Sequence, residues 1–270
     1  MKPEEERVKP DDGSELDPRP HAVDIYDRVC DDTIEEFKRP PSSLVYSGLF
    51  AGFAIGLAPL AVALGIVALG DGSSQKFVAY LLYPIGYIAV IIGRAQFFTE
   101  NTLYPVMVSM RRPEYFGISS RLWVIVYATN VIGALLFAML VILTGAFGEP
   151  VQAQMVAEGV GDTSGPLTST FWSAVVTGFL LALVAWLVEA SETATGQIMV
   201  IYVLTFLVGL GGFDHCIATT VEALSALLEG PLGFGDFFGW LAVTTLGNIG
   251  GGVLIVAAIN YGQVRDEDGE

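Results

Sequence analysis

Long apolar segments occupy most of the chain after residue 42, and two of them are interrupted by glycine and polar residues. A membrane-spanning helix needs about 20 predominantly apolar residues, and six segments reach that length when the interrupted ones are counted whole. In chain order they are Leu44–Leu69, Phe77–Gly93 continuing as Leu103–Met110, Leu122–Phe147, Leu167–Val188, Ile198–Val208 continuing as Cys216–Leu228, and Phe237–Tyr261. The pattern predicts an all-α membrane protein with six transmembrane helices, the second and fifth of them broken.

The two interruptions belong to an internal repeat in the sequence. Asn130 precedes Val-Ile-Gly and Asn248 precedes Ile-Gly-Gly, 118 positions later (248 − 130), while Thr99 and His215 of the two interruptions lie 116 apart (215 − 99). Each half has three spans, an odd number, so the halves insert with opposite orientation. We therefore predict two inverted three-helix repeats whose broken helices mark the substrate path. The alternative is a chance recurrence of small-residue helix contacts.

Charge divides the chain into three regions. Residues 1–42 are polar, acidic and proline-rich, and we predict a mostly disordered cytoplasmic tail with at most a short surface helix over Asp24–Phe37. Residues 43–262 are the predicted transmembrane transport domain, and residues 263–270 the cytoplasmic C-terminal tail. The net charge of −16 gives no electrostatic reason to bind nucleic acid or an anionic lipid surface. The expected environment of the apolar domain is the lipid bilayer.

Basic residues predict the orientation of the chain. With six spans both tails lie on one side, and that side carries most of the short-loop basic residues: Arg28, Lys38, Arg39, Arg111, Arg112, Arg121 and Arg265. The opposite side carries only Lys76. Because basic loops stay in the cytoplasm, we predict a multi-pass plasma-membrane protein with both termini cytoplasmic.

The second interruption carries two ionisable residues, Asp214 and His215, directly after closely spaced glycines that include Gly211 and Gly212. Broken backbone at membrane depth is tolerated only where it is buried in protein or lines a cavity. Ionisable residues there are candidates for function. We predict that His215 is a proton donor at the middle of a conduit; the alternative is a hydrogen-bonded core histidine without a role in transport.

Four segments resemble the formate/nitrite transporter family, in a divergent prokaryotic branch. They are Gly93–Asn101, Asn130–Phe137, Gly212–Ala218 and Gly247–Leu254. The most specific match is the Phe-Asp-His run that ends at His215, and the resemblance covers about residues 40–262. It implies an aquaporin-like fold and a homo-pentamer with one pore in each protomer.

The resemblance also implies roles for individual residues. Thr99 matches the threonine of the first break and His215 the central histidine of the second. Phe98, Phe97 and Phe213 match the aromatic side chains that close the pore. The predicted central pair and its constriction therefore come from both broken helices.

Other residues near the breaks have expected supporting roles. We expect Asp214 to cap the second half-helix and Gly211 and Gly212 to permit the break. We expect Asn130 and Asn248 to hold the broken helices through backbone groups. All of these roles are structural.

Several polar residues near the path differ in their expected roles. An intramembrane charge normally needs a partner, so we expect Arg94 to form a salt bridge with Glu100 or Glu222; attraction of anions is its alternative role. Glu222 is otherwise expected at the pore mouth. Thr219 stands where the family often has an asparagine, and no lysine follows Lys76, so the family's vestibule lysine is missing.

The leading functional prediction is transport of a small monovalent anion or its conjugate acid, of the formate, nitrite or hydrosulfide type, with proton exchange at His215. One alternative is a channel for a small neutral solute, which Thr219 and the missing lysine favour. Another is a non-conducting membrane sensor or scaffold that uses the acidic tail. We predict no enzyme activity, metal or cofactor, because the sequence has no nucleophile–base pair, metal-ligand cluster or cofactor motif.

Overall fold

The computed structural model of the protein describes residues 20–257 and 259–262. Its twelve α-helices within that range follow in chain order: α1 (Ala22–Phe37), α2 (Pro41–Ala54), α3 (Leu57–Leu69), α4 (Ser73–Tyr80), α5 (Pro84–Ile92), α6 (Tyr104–Arg111), α7 (Phe116–Thr144), α8 (Glu149–Thr163), α9 (Leu167–Ala190), α10 (Ala194–Leu210), α11 (Ala218–Glu229) and α12 (Phe234–Gly250). The chain continues α12 in π-helical geometry over Gly251–Ala257. Residues 1–19, which we predicted to be disordered, and the predicted C-terminal tail, residues 263–270, lie outside the described residues.

The helices reproduce the predicted membrane spans. In the described part of the chain, five helical stretches are long and apolar enough to cross a membrane: Pro41–Leu69, Ser73–Ile92, Pro113–Thr144, Leu167–Ala190 and Phe234–Gly262. The shorter apolar helix α10 and, after a break, α11 make the remaining span. Another break separates α5 from α6. The prediction of six spans with the second and fifth broken is therefore confirmed.

The first break is held by the carboxamide of Asn130 on α7. Its Oδ1 accepts a hydrogen bond from the backbone N–H of Phe98 at 2.9 Å. Its Nδ2 donates to the carbonyl oxygens of Gln96 and Gly48, both at 2.9 Å. One buried side chain thus binds backbone groups of the break and of α2, which a lipid-facing helix end would leave without partners.

The second break is held in the same way by Asn248 on α12. Its Oδ1 accepts from the N–H of Cys216 at 2.9 Å, and its Nδ2 donates to the carbonyl of Asp214 at 3.1 Å. Cys216 lies 118 positions after Phe98, and Asp214 lies 118 positions after Gln96 (216 − 98 and 214 − 96). The offset equals that between the two asparagines, so the predicted inverted repeat is confirmed at the level of single hydrogen bonds.

Two glycines allow the helices to approach these asparagines. A Cβ built on Gly52 would overlap the backbone carbonyl of Asn130, and a Cβ on Gly178 would overlap that of Asn248. Close backbone approach through small residues is the usual way in which membrane helices pack. The interfaces of α2 with α7 and of α9 with α12 therefore require glycine, which has no side chain, at these two positions.

Helix α1 corrects the prediction of a mostly disordered tail for its described part. One face of the helix is buried against the transmembrane helices, and its buried residues are Ile25, Tyr26, Val29, Cys30, Thr33 and Phe37. The hydroxyl of Tyr26 donates to the carbonyl of Met107 on α6 at 3.3 Å. The short helix expected over Asp24–Phe37 is therefore present. The abundant charges between the buried positions concealed only that one of its faces is buried. The folded part thus begins before the predicted boundary at residue 43.

Helix α8 was not predicted from the sequence. It joins the third and fourth spans and packs on α11 through Val151, Met155 and Gly159, each four residues from the next. A Cβ on Gly159 would overlap the carbonyl of Glu222 on α11. The helix is too short and polar to resemble a span, so the sequence pattern indicated only a loop.

Replacement of Gly52 or Gly178 by alanine is expected to destabilise the fold by about 1–3 kcal/mol, because either methyl group would overpack a backbone contact. The matched control is Gly117→Ala on α7, where nothing lies within 4 Å of the new methyl group. The measurement is the thermal unfolding midpoint of the detergent-solubilised protein. Equal midpoints for Gly178→Ala and Gly117→Ala would contradict the close approach described above.

Candidate functional site

The two breaks converge on a contact between Thr99 and His215. The Oγ1 of Thr99 lies 3.1 Å from the Nε2 of His215, and neither residue has exposed surface. Thr99 comes from the break between α5 and α6, and His215 from the break between α10 and α11. The structure thus brings together two residues that the sequence separates by 116 positions.

The other ring nitrogen of His215 determines the tautomer. Nδ1 accepts hydrogen bonds from the backbone N–H groups of Ile217 at 2.9 Å and Ala218 at 3.0 Å. A nitrogen that accepts two N–H bonds carries no proton, so the hydrogen-bond partners assign the neutral ring its proton on Nε2. The Nε2–H group donates to the hydroxyl of Thr99, and this N–H is the ring's only donor.

The imidazole of His215, rather than Asp214, caps the start of α11. The Oδ1 of Asp214 accepts from the indole N–H of Trp240 at 3.0 Å, and its backbone N–H donates to the hydroxyl of Ser173 at 2.9 Å. The predicted cap by Asp214 is therefore wrong. The first N–H groups of α11 already bind the imidazole, which leaves the carboxylate free to bond α12.

Thr219 stabilises the turn at the histidine. Its Oγ1 accepts from the backbone N–H of His215 at 3.1 Å, and it is buried. It also lies on the wall of the cavity that contains Asp214 and Glu222. A hydroxyl at this position thus supplies the acceptor that the turn needs.

Aromatic rings enclose the imidazole. The ring of Phe97 stacks on that of His215 with centroids 5.2 Å apart and planes 9° apart, and Tyr87 contacts the imidazole edge-on at 5.7 Å. Phe97 and His215 differ by the repeat offset of 118 positions (215 − 97). The residue equivalent to the histidine in the first repeat is therefore Phe97, and the two repeats meet ring to ring.

Phe98 lies elsewhere, although it is the immediate neighbour of Phe97. Its ring packs against Trp123 and Tyr127 of α7, with centroids 5.7 Å and 4.8 Å away. Phe98 is fully buried and lines neither of the cavities described below. The predicted role of Phe98 in the constriction is wrong, because its backbone N–H bonds Asn130 and its ring faces the core.

A cavity opens beside Phe97 on the side of the molecule that carries α1; we call it the α1-side cavity. Its polar wall is contributed by the break, α1 and the end of α9, and includes Asp32, Glu36, Arg94, Gln96, Glu100 and Glu189. The side chain of Gln96 donates to a carboxylate oxygen of Glu36 at 2.7 Å. Helix α1 is thereby bonded directly to the first break and forms part of the cavity wall.

A second cavity, which we call the α8-side cavity, lies on the opposite side of the constriction from the α1-side cavity. Its wall includes Phe213, Tyr80 and four carboxyl groups, those of Glu158, Asp162, Asp214 and Glu222; no lysine or arginine is among its lining residues in the described part of the chain. Burial raises the pKa of Asp162, and the charges of Asp214 and Glu158 raise it further. This carboxyl group therefore keeps its proton to higher pH than an exposed aspartate would.

Arg94 forms neither of the predicted salt bridges within the described residues. Glu222 lies in the opposite cavity, and no ion pair joins Arg94 to Glu100 although both line the α1-side cavity. Arg94 is exposed and its backbone is left-handed, with φ of 50°, which an arginine rarely adopts. The turn of the break leaves Arg94 exposed at the cavity wall, with no carboxylate of the described residues within ion-pair distance.

The arrangement as a whole defines a class of protein. Two broken helices from inverted repeats meet at a buried polar pair, aromatic rings close the passage there, and a polar cavity approaches it from each side. Broken helices that face each other at the middle of inverted repeats are typical of membrane transport proteins. No group of three or more His, Cys, Asp or Glu side chains in the described ranges has the geometry to hold a metal ion.

Comparison with known proteins identifies the family. Residues 23–262 match the formate/nitrite transporter family. The inner membrane protein YfdC of Escherichia coli (strain K12) is 31% identical over 249 residues, which cover 91% of this chain and 80% of that protein. The chain therefore belongs to the formate/nitrite transporter family, a family of membrane transporters rather than enzymes.

Solved structures show the same fold. An FNT family ion channel superposes with a TM-score of 0.77 at 19% identity, covering 90% of this chain and 96% of that one. A pentameric formate channel with formate bound superposes with a TM-score of 0.71 at 20% identity, covering 82% of this chain and 96% of that one. The predicted aquaporin-like architecture of inverted repeats is confirmed.

The tautomer of His215 can be measured directly. The chain has two histidines, so a His21→Gln variant labelled with ¹⁵N-histidine contains a single labelled ring. At neutral pH we expect the nitrogen shifts of a neutral imidazole protonated on Nε2, because Nδ1 accepts two backbone N–H bonds. A spectrum of the Nδ1–H tautomer in solid-state NMR would contradict the assignment.

Proposed function

We propose that the protein forms a transmembrane path for formate-sized monovalent anions or their conjugate acids. The observation that carries this proposal is the buried contact between Thr99 and His215, closed by the ring of Phe97 and approached by a polar cavity on each side. The name of the structural relative with bound formate supports the substrate class. Formate, nitrite and hydrosulfide share small size, a single charge and weak-acid chemistry.

The constriction favours passage of the neutral acid. Moving a bare anion into an apolar passage costs many kcal/mol, whereas a neutral hydrogen-bonding solute costs far less. The Nε2–H of His215 and the hydroxyl of Thr99 offer hydrogen bonds to a substrate oxygen at the constriction. The anion must therefore gain a proton before it passes and lose that proton afterwards.

The tautomer limits the part that His215 plays in this exchange. A second ring proton would have to bind Nδ1, which already accepts from Ile217 and Ala218. Loss of the Nε2 proton from the neutral ring would create an imidazolate, a strong base. We infer that His215 mainly donates a hydrogen bond that orients the substrate, and that the transferred proton reaches the substrate from a cavity.

We further propose that the α1 side faces the cytoplasm and that five chains assemble, each with its own path. The concentration of basic residues on that side supports the orientation, and the name of the pentameric relative supports the assembly. Native mass spectrometry of the purified protein should give the mass of five protomers. A stable monomer or dimer in mild detergent would contradict the assembly.

Uptake of ¹⁴C-formate into proteoliposomes tests the function. We expect the wild type to transport formate faster as the pH falls, because the neutral acid becomes more abundant. Thr99→Val should lower the rate at least about tenfold, equivalent to about 1.4 kcal/mol, since it removes the hydroxyl that bonds His215. The matched control Thr99→Ser keeps the hydroxyl and should stay within about twofold of the wild type.

A neutral-solute channel is the second candidate function. The four carboxyl groups of the α8-side cavity, with no basic residue among its lining, would not attract an anion. The same proteoliposomes separate the candidates, because flux of a neutral solute is independent of pH and of membrane potential. Transport of glycerol or urea without any flux of formate would favour this second candidate.

A further inference from the structure

Glu100 has an environment that the proposed path does not yet explain. It directly follows Thr99 in the first break, is only 9% exposed, and lines the α1-side cavity together with Phe97. Its carboxyl group makes no hydrogen bond or ion pair with residues 20–257 or 259–262. Within these residues the only inaccessible side-chain polar atom without a partner is the Oγ1 of Thr244. The carboxyl oxygens of Glu100 therefore keep accessible surface, and the opening that this residue lines is the α1-side cavity.

A buried carboxylate without a partner is unfavourable unless a ligand neutralises its charge. Leaving such a charge at membrane depth is costly, so intramembrane carboxyl groups are paired or belong to ion and proton paths. Glu100 has no pairing side chain in the described part of the chain, and the residues there form no three-ligand metal site. A proton from cavity water is the simplest ligand that neutralises it.

The charged and titratable groups that line this cavity come from the break itself and from three helices. They are Asp32 and Glu36 of α1, Arg94 of the break, Glu189 of α9 and Tyr104 of α6. Carboxyl groups outnumber the single guanidinium, so the cavity attracts protons from solvent. Glu36 is already engaged by Gln96 and Arg39, and Asp32 is exposed on α1.

Arg94 complements Glu100 in the same cavity. Its guanidinium is exposed and forms no ion pair with the described residues. A cation of this kind stabilises an anion that has just lost its proton. The α1-side cavity therefore contains both a group that can accept the proton of a weak acid and a group that can hold the resulting anion.

We propose that Glu100 exchanges a proton with the transported weak acid at the α1-side end of the constriction. The proposal rests on the proposed transport function. Glu100 first releases its proton to cavity water. When the neutral acid leaves the contact of Thr99 and His215, its O–H bond breaks, its proton bonds the free carboxylate oxygen of Glu100, and the anion departs beside Arg94. In the opposite direction the same steps reverse, and no electrons are transferred.

Formate exchange in proteoliposomes, with equal pH on both sides, tests this role. We expect Glu100→Gln to lower the exchange rate at least about tenfold and to flatten its pH profile, because a positioned proton-transfer group contributes at least that much. Glu100→Asp keeps a carboxyl group and should retain a pH-dependent profile. The matched control Glu114→Gln changes an exposed glutamate outside the cavity and should leave both rate and profile unchanged.

A purely structural role of Glu100 predicts a different outcome. Glu100→Gln is nearly isosteric, so it would then keep the pH profile of the wild type, and that result would overturn the proposal. If the wild type moves no formate, the proposed transport function fails instead.

Infrared difference spectroscopy provides a readout that requires no transport. Over the same pH range we expect a titrating carboxyl C=O band in the wild type that is missing from Glu100→Gln and displaced in Glu100→Asp. If Glu100→Gln does not fold, the displacement of the carboxyl band in Glu100→Asp tests whether Glu100 titrates. Spectra without a band that responds to either substitution would overturn the proposal whatever the flux.

Discussion

The structure depends on how backbone groups are satisfied where two membrane helices are interrupted. Water is not available at that depth, so each free N–H or C=O needs a partner from the protein. Asn130 and Asn248 supply these partners through equivalent bonds, and serine hydroxyls bond the next N–H groups, those of Gln96 and Asp214, both at 2.9 Å. These contacts hold the breaks open as defined loops, and the contact between Thr99 and His215 depends on them.

The chemistry at the centre is a consequence of that support. Because each loop is anchored at both N–H and C=O, its side chains have fixed directions, and Phe97 meets His215 ring to ring. The imidazole also completes the start of α11, which fixes its tautomer and directs Nε2–H at Thr99. The same histidine is therefore a helix cap and, in the proposed path, the donor that faces the substrate. Because Nδ1 already accepts the N–H bonds of the helix start, the ring is suited to donate a hydrogen bond through Nε2 and not to take up a second proton.

Charge is distributed unevenly around this neutral centre. Carboxyl groups dominate both cavities, and the one guanidinium among the described lining residues, Arg94, lies on the α1 side. Such cavities do little to concentrate anions, so in the proposed path the constriction and the proton exchange next to it select the substrate. Glu100 directly follows Thr99 and lines the α1-side cavity together with Phe97, so the proposed proton exchange lies next to the constriction.

Apolar length and an offset of 118 positions determined the six spans, their two breaks and the inverted repeat from sequence alone, because these features follow from periodicity and spacing. His215 and Thr99 could be named for the same reason, with support from a family pattern. The sequence could not decide which way a side chain points from irregular backbone, since a break has no period. Only the tertiary structure showed that Phe97, and not Phe98, contacts His215, that Asp214 bonds α12, and that Arg94 lacks its expected partner. Each outcome depends on which neighbouring groups satisfy the backbone of the breaks.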